Sequence, residues 1–133
     1  MQDIQNITRF SFMEQDRPVL AAELTGRGDF PDVKGEVYVY TLPEGIYVQS
    51  DIEGLPPSRN HALTVHGGAV CEEIGEVLLV FPDIMSGEDG KASAKIQVDS
   101  VNSTQIAGKP AVLHVKGGDE EHIIACGILE RIL

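Results

Sequence analysis

Tryptophan is absent from this sequence, and only 5% of its residues are aromatic. The core must therefore be built from valine, isoleucine, leucine and alanine. Positive charge is also scarce. Ten lysines and arginines stand against 21 aspartates and glutamates, for a formal net charge of −11. That balance excludes the basic footprint of a nucleic-acid binder or of a protein that docks on anionic lipid. No apolar run reaches the ~18 residues of a membrane-spanning helix, so no membrane partner is expected. The first residues, Met1-Gln2-Asp3-Ile4-Gln5-Asn6, lack the basic-then-apolar order of a secretory leader. They point to the cytoplasm, or to an extracytoplasmic site if a leader has been removed. Cysteine is limited to Cys71 and Cys126, too few and too far apart for a zinc ribbon. A disulfide and two buried thiols both stay open, and a reducing cytosol favours thiols.

What is present is strand after strand. At 133 residues the chain has the length of one domain, with enough material for a core of its own. Val19-Leu20-Ala21-Ala22-Glu23-Leu24 runs toward Gly26 and Gly28. Gly35-Glu36-Val37-Tyr38-Val39-Tyr40 alternates, and Pro43-Glu44-Gly45 is a turn signal. Ile46-Tyr47-Val48-Gln49-Ser50-Asp51-Ile52 alternates again and ends at Gly54-Leu55-Pro56-Pro57. Further strands are expected at 61–66, 77–81, 92–98, 111–115 and 122–129, separated by glycine- and aspartate-rich punctuation. Short strands at this spacing argue for an antiparallel sandwich or barrel. No long segment keeps a helical period, and 100–106 is the best helix candidate. Residues 1–17 are less regular and read as an extension, although the alternation at 7–12 fits an extra edge strand.

Five segments, taken in order, resemble the copper-zinc superoxide dismutase family. Gly54-Leu55-Pro56 resembles that family's turn into its metal-bearing strand. His61-Ala62-Leu63-Thr64-Val65-His66-Gly67 resembles its His-Gly-Phe-His-Val-His segment. Gly75-Glu76-Val77-Leu78 resembles its Gly-Asp-Leu segment, and Asp89-Gly90-Lys91-Ala92 its Asp-Gly hairpin. Gly108 to His114, with Ala125-Cys126-Gly127-Ile128, resembles the strand with the last copper histidine and the segment around the terminal cysteine. The resemblance implies that residues 18–133 form an all-β, eight-stranded Greek-key barrel or flattened sandwich, and that the protein is a homodimer. It also implies that Cys71 and Cys126 are bonded to each other.

Carried over position by position, the ligand set is incomplete. His66 and His114 match copper histidines of the family. Thr64 stands where another copper histidine belongs, and a hydroxyl is a poor copper ligand. Positions 64 and 66 share a face because strand side chains alternate. Gly75 follows His66 by only nine positions, so the long loop that carries the bridging and zinc histidines has been cut. Glu73 and Glu76 fall at zinc-ligand positions, but two carboxylates do not make a structural zinc site. Ile123 stands where the family's guiding arginine belongs, and the acidic net charge repels an anionic substrate. Zinc is not expected, and copper is the one metal still open to the corner.

Three functions follow from this reading. The first is a superoxide dismutase-like domain that has lost dismutase competence. The second is a copper-binding protein or copper-only dismutase on His66, His114 and a third histidine, His122 or His61. His122 precedes the arginine position by one residue, so a one-residue register shift turns it inward. His61 has the wrong strand parity unless a bulge intervenes. The third is a homodimeric binding or assembly module. The bland alternative is four histidines packed in or near the core without metal. Asp119-Glu120-Glu121 reads as a solvated loop tip, and the Gly67-Gly68 and Gly117-Gly118 pairs read as turns.

Overall fold

The computed structural model describes residues 17–116 and 122–132, with His122 described by its backbone alone. The edge-strand expectation at 7–12 and the acidic tip at 119–121 lie outside the described residues. The described chain is all-β and antiparallel. Its strands are β1 (Leu20–Gly26), β2 (Lys34–Leu42), β3 (Gly45–Glu53), β4 (Asn60–His66), β5 (Val77–Val80), β6 (Ile84–Met85), β7 (Ala92–Asp99), β8 (Pro110–Val115), β9 (His122–Ile128) and β10 (Glu130–Arg131). The best helix candidate, 100–106, forms only a single 3₁₀ turn, Ser103–Gln105, capped by the side chain of Asn102.

One hydrogen-bonded path runs β5-β4-β8-β9-β1-β2-β3-β7, with β10 added beside β1 and β6 beside β4. The eight strands on that path are those expected from the sequence. The two short strands were not legible, because two residues carry no period. Alternation places Ile46, Val48 and Ile52 of β3 and Val37 and Val39 of β2 in the core. The hairpin between them turns tightly, with Leu42 opposite Gly45. Gly54 is required where it stands. Its φ is +77°, and a Cβ there would lie 2.1 Å from the Asp32 carbonyl oxygen. The Gly-Leu-Pro turn can therefore pass close to the chain that leads into β2.

β4 and β8 differ from β1, β2, β3 and β7 in being buried on both faces. Leu63 and Val65 of β4 and Ala111, Leu113 and Val115 of β8 belong to the core cluster. Directly paired residues share a face, so Ala62, Thr64 and His66 lie on the outer wall with Val112 and His114. Two bulges flank this wall, and in each the extra residue is on the neighbouring strand. Leu78 is the extra residue of β5, between Val65↔Leu79 and His66↔Val77. Ile124 is the extra residue of β9, between Leu113↔Ala125 and His114↔Ile123. β4 and β8 thus stay regular and keep their parity. β6 pairs with β4 and packs against β7, which brings the two ends of the strand order toward each other.

Candidate functional site

Two histidines of the outer wall converge on one hydroxyl. Thr64 Oγ1 lies 2.9 Å from His66 Nε2 and 3.2 Å from His114 Nε2. The two rings are 6.1 Å apart between centroids and tilted by 38°. All three side chains are buried. Proton positions follow from the partners. His66 Nδ1 lies 2.9 Å from the Gly75 carbonyl oxygen, which can only accept, so Nδ1 carries the proton. His66 Nε2 is then bare and accepts from the Thr64 hydroxyl. The hydroxyl oxygen in turn accepts from His114 Nε2–H. The Val112 carbonyl, at 3.4 Å, is a longer second acceptor for Thr64. A single direction of donation thus runs from His114 through Thr64 and His66 to Gly75.

The loop that supplies Gly75 is short and tied down. Gly67 N–H donates to the Glu76 carbonyl, Gly68 N–H to that of Ile74, and Lys109 Nζ to that of Gly67. Cys71 and Cys126 form a disulfide with a Cα–Cα distance of 6.0 Å. Cys126 pairs with Val112, so the bond staples the loop to the same outer wall as the histidines. Arg27 adds a hydrogen bond to the Cys71 carbonyl and an ion pair to Glu72. The resemblance implied this disulfide, against the preference of a reducing cytosol for thiols.

The other candidate residues are dispersed. His61 shares strand parity with Leu63 and Val65, because no bulge interrupts β4, and its side chain is fully buried on the inner side. Its ring does not join those of His66 and His114 at Thr64. Its Nε2 lies 3.2 Å from Ser86 Oγ, which donates its only proton to the Pro56 carbonyl at 2.6 Å and accepts from Arg59 N–H at 3.1 Å. Nε2–H is therefore the donor to Ser86. The backbone of His122 takes the register position opposite Val115, and Ile123 takes the position opposite His114. The His122 side chain lies outside the described residues. Glu73 and Glu76 are exposed. Among the described residues no three histidine, cysteine or carboxylate side chains come together as a metal-binding group.

The residues present do not fit a cycling copper. Copper or zinc needs imidazole nitrogens at about 2.0–2.1 Å and a third strong donor. Here the third group is a neutral hydroxyl, and both imidazole Nε2 atoms already bond to it. The Gly75 carbonyl and the Ser86–His61 bond were missed in the sequence. A backbone acceptor leaves no residue-type signal, and Ser86 meets His61 only through the β4–β6 pairing.

Burial lowers the pKa of His61 below its ordinary value of 6.5; the Pro56 and His114 carbonyls oppose this and Arg59 reinforces it. The unfolded chain therefore binds the proton first as pH falls. The contribution of His61 to stability is intact above about pH 6.5 and erodes below it, by at most about 1.4 kcal/mol per pH unit, until the folded-state pKa is passed. Urea titrations of wild type and His61→Gln across this range are expected to show a shallower acid-side loss in the variant. Equal slopes would remove His61 as the cause.

A comparison with protein-family models finds no match to this chain, and neither does one with curated proteins.

Proposed function

We propose that this chain is a Greek-key barrel of the copper-zinc superoxide dismutase type whose metal corner has become a hydrogen-bonded polar plug. On this reading it works as a non-catalytic binding domain. The observation that carries the proposal is Thr64, whose hydroxyl takes up the Nε2 atoms of both His66 and His114. The strand order, in which the β3–β4 and β7–β8 connections each cross to a distant part of the sheet, supports the Greek-key part. The exposed Ile123 opposite His114 supports the loss of anion steering. The disulfide supports work in an oxidising compartment, against the cytoplasmic expectation from the polar first residues.

The test is copper loading of the purified protein, followed by elemental analysis and a xanthine–xanthine oxidase assay. Copper well below one equivalent is expected, with no dismutation above a free-copper control. Chelator should leave the melting temperature unchanged, because the core does not depend on metal. One equivalent of copper, with dismutation abolished by His66→Ala and by His114→Ala, would overturn the proposal. It would establish the second reading, a copper-binding protein or copper-only dismutase, which the convergence of the two Nε2 atoms favours.

A further inference from the structure

The two ends of the strand order are treated differently. At one end β7 carries Lys95 within the strand, a charge of the kind that blunts a free edge. At the other end β5 is Val77-Leu78-Leu79-Val80, with no charge at all. Among the described residues its hydrogen-bonded partner is β4 alone. Phe81 N–H bonds to the Leu63 carbonyl at 3.1 Å. By the antiparallel alternation Val80, one residue back, turns its own N–H and C=O away from β4 toward the free side. The strand is also uncovered: Val77 is 53% exposed, Leu78 47% and Val80 63%. Val77 and Val80 face the same outer wall as His66 and Thr64, their register partners.

We propose that the β5 edge is a docking strand for an extended, cationic segment of a partner protein, which adds to the sheet by main-chain hydrogen bonds. Charge selects this occupant. The chain carries −11 overall, and the exposed Glu73 and Glu76 lead into β5. A segment with apolar alternation and flanking lysine or arginine gains from that field, whereas a second copy of this chain is repelled by it. The inference rests on the binding-domain reading. Peptide binding is measured without copper and dismutation with it, so the two fail separately.

The test uses the full chain and a fluorescein-labelled peptide of alternating valine and threonine flanked by lysine pairs. A second peptide has glutamate in place of lysine. Anisotropy is expected to show saturable binding of the lysine peptide, at least about tenfold tighter than the glutamate peptide and weakened by added salt. Amide shifts of the isotope-labelled protein should be largest at 77–80. Val80→Pro removes the outward N–H at an edge position that tolerates proline, and should weaken binding about tenfold with little change in melting temperature. Val80→Lys, at the same exposed position, should weaken it through charge. No saturable binding, equal binding of both peptides, or shifts confined to another strand would overturn the proposal. So would a wild-type dimer that Val80→Pro converts to monomer, because the edge would then belong to a second copy.

Discussion

Replacing both Cys71 and Cys126 by alanine is expected to lower the unfolding free energy by about 4 kcal/mol. The bond joins residues 55 positions apart, and a cross-link over a loop of that length removes roughly this much chain entropy from the unfolded state at 25 °C. Against a total stability of about 5–15 kcal/mol for an ordinary domain, that is a large share. The effect has a local side. Freed from β9, the 67–76 loop is held by its own short bonds and those of His66, Arg27 and Lys109. The Gly75 carbonyl that fixes the His66 tautomer should then be held less firmly. Urea titration reads the global loss, and hydrogen exchange reads faster opening at 67–76 than in β2 and β3. A double variant with the wild-type midpoint would show that the staple contributes nothing net.

Thr64→His is expected to convert the corner into a copper site, with affinity about 100-fold above wild type, or ~2.7 kcal/mol. The substitution acts twice. It removes the hydroxyl that occupies both Nε2 atoms, and it places a third imidazole on the face that already carries His66 and His114. Competition with a chromophoric chelator measures the affinity, and electron paramagnetic resonance counts the nitrogen ligands. Without copper the variant should be less stable than wild type, because a larger ring enters a buried position. Thr64→Val provides the contrast. It leaves His66 Nε2 without its donor and should cost about 1–3 kcal/mol with no gain in copper affinity. Unchanged affinity in Thr64→His would mean that the outer wall does not orient three imidazoles toward one point.

The legibility of this protein differs sharply between strand and site. Val37, Val39, Ile46, Val48 and Ile52 announce themselves by alternation, because a half-buried strand must repeat with period two. β4 and β8 are less transparent. Both of their faces are buried, so neighbours such as Leu63 and Thr64 give no contrast from which to tell inside from outside. The short strands β6 and β10 left no trace, yet β6 carries the register that sets Ser86 near His61.

The sequence by itself determined the all-β class, the eight main strands and an acidic net charge. These depend on local period and on summed charge, which need no knowledge of neighbours. The resemblance, not the spacing, implied the Cys71–Cys126 pairing. Only the tertiary structure decided which histidines meet. His61 and His66 are five positions apart on one strand, yet parity sends one inward and the other to the outer wall. His66 and His114 lie far apart in sequence, and the β4–β8 register brings them to one threonine hydroxyl. Pairing register is a non-local property. It is set by which apolar faces must be buried together, and for that reason it decides the chemistry of this corner.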